Sequence, residues 1–304
     1  MPSFGYVDLR PHSGFRIPVR ASTLWGHLAW AMRELEGRPS LVGWIRAHEE
    51  AIEKGLPPPL RLSSAFPRGF LPRPLLPPAP VKDTATRKTL KALGYIPIEV
   101  LPELFKRGEE ALLALVPPKA SPPGDALRRK PRTRVAMSRL TGAAAEGLLF
   151  EEALYWSKDV LRVYFELGPG EDKARILALF DHLATIGYGG GASIGNGAFS
   201  IESIGEEMIE GGRGPYHLLL GPALLPPDPV GWWRTERYWG RLGSFYANAP
   251  VPFKRPYLRV VEGSVLKNYR PRLLDVTPAE APESEVRIVE NLAPLTLPLE
   301  VPHA

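Results

Sequence analysis

The chain of 304 residues contains no cysteine. That one absence excludes disulfides, thiolate metal sites and cysteine nucleophiles together. Long apolar runs are missing as well: no stretch approaches the ~20 uninterrupted apolar residues of a membrane span. The opening residues, Met1-Pro2-Ser3-Phe4, carry no basic segment followed by an apolar one, so no secretory signal is expected and a cytoplasmic location is. Metal chemistry finds little to use. The acidic residues form no Asp-Asp or Asp-x-Asp pair of the kind that two-metal catalysis needs. The six histidines, His12, His27, His48, His182 and His217 among them, show no His-x₃-His spacing. Neither a metal nor a cofactor is expected.

What is present is the balance of a globular protein, 44% hydrophobic and 23% charged, with 35 prolines. The length suggests two domains. The net charge is +5, but its distribution says more. Residues 61–139 hold 16 Lys/Arg against 6 Asp/Glu, a surplus of +10, which leaves the remainder at −5. A basic middle in a mildly acidic frame implies a polyanion at one face, or else a solvated basic loop.

Residues Phe4 to Leu9 read as a strand, ended by Pro11 and Gly14. A helix follows, with Ser22 as its N-cap and Leu24, Leu28, Met32 and Leu35 at helical spacing; Gly37 to Pro39 stops it. A second helix spans Leu41 to Lys54. The proline-dense stretch 57–80 is ordered loop with strand-like pieces at Leu60–Ser64, Phe66-Pro67 and Phe70–Pro72. From Val81 to Pro131 the chain is basic, with a short helical pattern at 101–115, and is expected to extend from the body. Strands are expected at 132–138, 148–156 and 159–167, then an amphipathic helix carrying Ile176, Leu177, Phe180, Leu183 and Ile186, ended by Gly187. A strand from Ala198 to Ile204 completes the order strand, helix, strands, helix, strand: an α+β, ferredoxin-like (RRM-like) arrangement with a large insertion. The expected domains are 1–205, with the insertion at about 57–131, and a smaller β-rich 206–304. The second has strand candidates at 216–220, 257–261 and 285–289.

The strongest local signal lies between that helix and that strand. Gly187-Tyr188-Gly189-Gly190-Gly191-Ala192-Ser193-Ile194-Gly195-Asn196-Gly197 leaves backbone N–H groups unshielded, so a phosphate chain can approach them closely; the plainer alternative is a hinge. The glycines leave a helix and enter a strand. A phosphate-binding loop for ATP, or a dinucleotide fingerprint, has the reverse order. Neither ATP nor NAD binding is supported.

This run, continued by Ala198-Phe199, resembles the glycine-rich loop of the RAMP proteins of CRISPR systems. Ser22-Thr23-Leu24-Trp25-Gly26-His27-Leu28, Ser63-Ser64-Ala65-Phe66-Pro67, Phe70-Leu71-Pro72-Arg73-Pro74, Ser138-Arg139-Leu140-Thr141-Gly142, Glu262-Gly263-Ser264 and Leu297-Pro298-Leu299 are similar, in order, to elements of the Csm subunit family that caps the guide RNA 5′ handle. That family often carries Lys or Arg just after the paired glycines, where this chain has Gly191. The resemblance implies tandem ferredoxin-like domains, a thumb-like inserted hairpin near the handle, and a non-catalytic role in a type III-A effector complex. Its implied partners are the guide RNA 5′ handle, the large nuclease-cyclase subunit and a backbone RAMP subunit, with target RNA nearby and no membrane. The implied RNA-binding residues are Gly187, Gly189, Gly190, Gly191, Ser193, Gly195, Asn196 and Gly197 of the loop; Ser22 and Thr23; Arg128, Arg129, Lys130, Arg132 and Arg134; and Ser138 and Arg139.

The run Arg128 to Arg134 is the best electrostatic site, since arginine binds phosphate in a fork and stacks on bases; it reads otherwise as a solvated loop. Trp232, Trp233, Arg234, Arg237, Tyr238, Trp239 and Arg241 could stack on bases, although buried or subunit-contact aromatics are commoner. His27, among apolar neighbours, reads as a packed histidine rather than a base. Two rival functions stay open: a metal-independent RAMP endoribonuclease that cuts guide precursor, and an assembly scaffold that contacts only protein.

Overall fold

The computed structural model describes residues 3–115, 127–280 and 287–301. The first strand, β1 (Ser3–Pro11), turns Val7 and Leu9 to one side of its sheet and Phe4 and Asp8 to the other, all four buried. Two helices follow, α1 (Ala21–Glu36) and α2 (Arg38–Glu53). Ser22 does not cap α1. Arg20 holds the cap position with extended backbone, and the N–H of Ala21 donates to Ser64 Oγ at 3.0 Å. The first-turn donor is thus satisfied by a side chain distant in sequence. Pro39 sits in the first turn of α2, where its missing N–H costs nothing, so α2 begins three residues before the expected start.

The proline-dense stretch supplies β2 (Leu60–Leu62), β3 (Phe66–Pro67) and β4 (Phe70–Pro72). Next come α3 (Thr84–Ala92), β5 (Tyr95–Pro97), α4 (Leu101–Arg107) and a 3₁₀ stretch, Gly108–Leu115. A long hairpin, β6 (Arg128–Met137) and β7 (Ala144–Trp156), precedes β8 (Leu161–Leu167), α5 (Lys173–Ile186) and β9 (Phe199–Met208). The main sheet has the order β2-β8-β1-β9 with every pair antiparallel, and β3 also pairs with β8. With α1 after β1 and α5 after β8, the connectivity is strand, helix, strand, strand, helix, strand. The proline-flanked β2 lies at an edge, where missing donors do least harm.

Leu24, Leu28 and Met32 of α1 and Ile176, Phe180 and Leu183 of α5 cover one face of this sheet and form a core with Val7, Leu9, Val163 and Phe165. The opposite face joins a second core. There Phe4 and Tyr164 meet Leu71, Leu90, Ile96, Leu101 and Leu104, and these meet Leu218, Val265 and Leu297 from the C-terminal strands. Residues 84–112, expected to stand out from the body, are therefore packed into it. What stands out is the hairpin β6–β7, whose turn spans Ser138 to Ala143. Residues 116–126 of the basic stretch lie outside the described residues.

The C-terminal part contains β10 (Tyr216–Leu219), β11 (Gly231–Trp232), β12 (Thr235–Tyr238), β13 (Tyr257–Val260), β14 (Val265–Leu266), β15 (Leu273–Asp275), β16 (Val289–Asn291) and β17 (Thr296–Leu299). They form one sheet, β11-β14-β10-β17, and two ribbons, β12–β13 and β15–β16. Among the described residues after β9 there is no α-helix. The strand expected from Glu285 begins at Val289, and residues 285 and 286 are outside the described set. The chain is thus a mixed α+β protein of several small sheets.

Candidate nucleic-acid interface

The glycine-rich loop is held from below by aromatic and polar anchors. Helix α5 starts at Asp172, which accepts from the N–H of Ala174 at 2.9 Å, and ends at Gly187. Tyr188 is buried: its N–H donates to the Gly197 carbonyl at 2.9 Å, closing the loop, and its hydroxyl donates to the Pro18 carbonyl at 2.9 Å. Burial pushes that hydroxyl's pKa up, so it stays a neutral donor. Gly197 has φ +72°, and a Cβ there would fall on the Tyr188 carbonyl; only glycine closes the loop at this point. The Gly189 N–H donates to His27 Nε2 at 3.0 Å. Burial first, and then the charge of Lys254, pull the His27 pKa down to about 4. Its imidazole is therefore neutral at pH 7 and available as an acceptor.

Hydrogen bonds divide the loop in two. The N–H groups of Gly187, Gly189, Ile194, Gly195, Asn196 and Gly197 are all used within the protein. Those of Gly190, Gly191, Ala192 and Ser193 meet no acceptor among the described residues. Four consecutive unpaired donors at an exposed turn make an anion-receptive concavity. Beneath them the side chain of Asn196 is buried with neither polar atom hydrogen-bonded. A buried amide left without partners is costly. Its Nδ2 lies 2.9 Å from where a Cβ on Gly191 would stand.

A cation borders the same turn. The Arg16 guanidinium lies 3.1 Å from that Gly191 Cβ position, so another loop places a positive charge where this chain has no side chain of its own. Glu152 of β7 holds Arg16 by its Nε at 2.5 Å and Arg134 of β6 by its Nη1 at 3.0 Å. The hairpin base is locked beside the loop by paired bonds between Phe15 and Tyr155, 2.8 and 2.7 Å.

Strand pairing sorts the basic residues of β6. Arg128, Lys130, Arg132 and Arg134 stand opposite Trp156, Leu154, Glu152 and Phe150, and so share a side with Glu152. Leu154 and Trp156 approach Gly14 at 2.8 Å from its Cβ position, and the Gly14 carbonyl accepts from Gly197, so this side borders the glycine-rich loop, while Tyr155 on the opposite side packs against the main core. Arg129 points the other way. Ser138 and Arg139 belong to the hairpin's turn, where the N–H of Gly142 donates to the Ser138 carbonyl at 2.9 Å and Leu140 is 98% exposed.

Of the remaining sequence candidates, Thr23 lies beneath the loop beside the Tyr188 hydroxyl, and the others lie apart from the loop. Ser22 is buried, 3.4 Å from Arg259 Nη1, and the Thr23 hydroxyl is 3.5 Å from the Tyr238 hydroxyl. Both look toward the β12–β13 ribbon. Tyr238 carries the Arg259 guanidinium on its ring at 3.6 Å. Trp232 packs against the second core and Trp233 against a third, small cluster, and Trp239 is 56% exposed. Arg16 and Tyr188 are the residues that sequence reasoning missed; Arg16 is a single arginine in a turn with nothing nearby in sequence to mark it. No grouping of three His, Asp or Glu that could hold a metal occurs among the described residues.

The family model of the RAMP superfamily matches residues 7–200, well over half of the sequence, and the chain belongs to that superfamily. No curated protein matches it. Among solved structures, a chain of the Csm1-Csm4 cassette in complex with pppApA is similar over 100% of both chains, at 20% identity and TM-score 0.65. A chain of the same cassette with AMPPNP matches over 100% of both chains, at 21% identity and TM-score 0.61. A chain of the Csm3-Csm4 subcomplex of the type III-A CRISPR-Cas interference complex matches over 98% of this chain and 99% of that one, at 16% identity and TM-score 0.60. These likenesses establish a shared fold over the whole length.

Proposed function

We propose that the chain is a non-catalytic RAMP subunit that holds the 5′ handle of a guide RNA in a type III CRISPR effector complex. The observation that carries this reading is the turn of four unpaired N–H groups, Gly190 to Ser193, flanked by Arg16 and by the inward basic side of β6. Backbone donors and arginines together suit a phosphate chain, whose contacts position an RNA without reading its sequence. Csm4 is the component common to the assemblies whose chains it resembles, which supports a Csm4-like place between a large subunit and a backbone RAMP subunit. On this reading the main sheet with α1 and α5 is one ferredoxin-like domain and the C-terminal β-rich part a degenerate second one, and the protein works in the cytoplasm near the target RNA.

The test is to purify the assembled complex, extract its RNA and sequence the 5′ ends. A single repeat-derived 5′ sequence, uncut when naked precursor is incubated with the isolated chain, is the expected result. Specific cleavage by the isolated chain would favour the processing enzyme instead, and absence of bound RNA the scaffold.

A further inference from the structure

A groove of about 510 Å³ lies between α1 and α2, bordered on its third side by residues 241–246 and the start of β16. Its floor is apolar: Trp25, itself stacked on Trp44, with Gly26 and Ala29 from α1, and Leu41, Val42 and Ile45 from α2. Its rim is cationic. Arg33, Arg38, Arg46, Arg241, Lys254 and Arg287 line it, against Glu49 as the only lining carboxylate among the described residues. Lys254 is engaged by Glu290 at 2.5 Å, and Arg287 by Glu49 at 2.6 Å and Asp275 at 3.3 Å. Arg38 and Arg46 are exposed and meet no carboxylate among the described residues.

Gly26 is the informative residue. Glycine inside a helix is disfavoured relative to alanine, yet among the described residues nothing beyond its own helix lies within 4 Å of where its Cβ would stand. Packing among the described residues does not account for it; a close approach of another backbone would. The occupant's chemistry follows from the lining. Leu41, Val42 and Ile45 offer a base no ring to stack on. Trp30 already carries Arg33 at 5.1 Å from its ring centroid and Tyr246 at 5.8 Å. An apolar floor between cationic rims is the complement of an amphipathic helix with carboxylates on its flanks.

We infer that this groove receives an acidic amphipathic α-helix of a partner protein. Its apolar stripe lies over Gly26, Val42 and Ile45, and its carboxylates meet Arg38 and Arg46. The groove and the loop meet at Thr23 and His27, and the inference uses neither the loop's free donors nor the hairpin.

The test titrates the full-length protein, by fluorescence anisotropy, with a synthetic helix of roughly 18 residues, long enough to hold helical structure. The peptide has leucine at i, i+3, i+4 and i+7 and glutamate elsewhere; a control peptide has lysine for glutamate, and a single-stranded RNA oligonucleotide serves as a third probe. The acidic helix should bind and the lysine helix should not. Gly26→Leu, and separately the pair Arg38→Glu and Arg46→Glu, should weaken the acidic helix at least tenfold while circular dichroism and RNA binding stay unchanged. Gly190→Glu should leave the helix bound. The inference fails if the acidic helix does not bind, if it binds the groove variants as well as the parent, or if those variants weaken RNA in its place. Loss of RNA binding in all forms, with helix binding intact, would sink the handle reading alone.

Discussion

At the scale of single residues, the glycine-rich loop depends on one neutral imidazole. His27 Nε2 accepts the Gly189 N–H at 3.0 Å, and this bond fixes the entry to the free-donor turn. His27→Ala leaves that amide unpaired and should cost on the order of 1–3 kcal/mol. His27→Gln, which offers an acceptor again, should recover part of it. Urea melts give the stability, and amide exchange at Gly189 shows whether the loop is the part that loosens. A second histidine shares the same electrostatics. His48 is fully buried between Trp25 and Trp44, its pKa lowered to about 4 by burial, which outweighs its backbone hydrogen bonds. For both groups the folded-state pKa lies below the unfolded one, so the unfolded chain takes up protons first. Stability should be level well above pH 6.5 and fall between about 6.5 and 4, these two histidines supplying up to two protons of the slope and His217, lowered by burial and by Arg61, adding to it. His48→Gln, provided the variant folds, should remove about one proton from that slope. A flat profile from pH 6.5 to 5 would contradict the neutral-histidine assignment. The packed character of His27 was legible in the sequence from its apolar neighbours. Its bond to the loop was not, since 162 residues separate the partners.

At the scale of elements, the hairpin is the part that the alternation of a strand explains and a list of charges does not. Five basic residues between 128 and 134 look like one patch in sequence. Pairing across β6–β7 turns Lys130 and Arg132 to the side of Glu152 and the glycine-rich loop, and Arg129 to the opposite side. If phosphates run along the inner side, Lys130→Ala with Arg132→Ala should flatten the plot of log K against log salt by about 1.4, at roughly 0.7 per lost phosphate contact. Arg129→Ala should leave the slope unchanged. Equal effects from both sides would mean a solvated patch. The helices and β1 of the main sheet could be read from periodicity and glycine stops, as could β10 and β13. Helix α3 could not: only Leu90 of its nine residues is buried, so it shows no apolar stripe, and its marker is the Asp83 cap, which accepts from Ala85 and Thr86. The cap of α1 was misread for a related reason. Ser64 performs it from across the fold, and no local pattern encodes that.

At the scale of the whole molecule, two cores share one sheet. The α1–α5 side takes in Leu273 and Val289 of the β15–β16 ribbon, while the other side recruits residues 71–112 and the strands β10, β14 and β17. Composition showed where the basic surplus lay, but not that Leu90, Ile96, Leu101, Leu104 and Leu112 would anchor residues 84–112 to a core while the hairpin projects. The loop, the Arg16 turn and the hairpin base come from three distant parts of the sequence and meet at one surface. Gly190→Glu tests that surface most directly. Gly190 is exposed, its φ is unremarkable, and a Cβ there would meet Arg16 Cδ at 3.4 Å, so the substitution fits the backbone. The new carboxylate would cover the free donors and pair with Arg16. With an unchanged circular dichroism spectrum, the variant should lose guide RNA at least tenfold, and the handle should become open to nuclease in the assembled complex. Retention of the guide at parental affinity, with its 5′ handle still protected, would contradict the account and leave the loop a hinge.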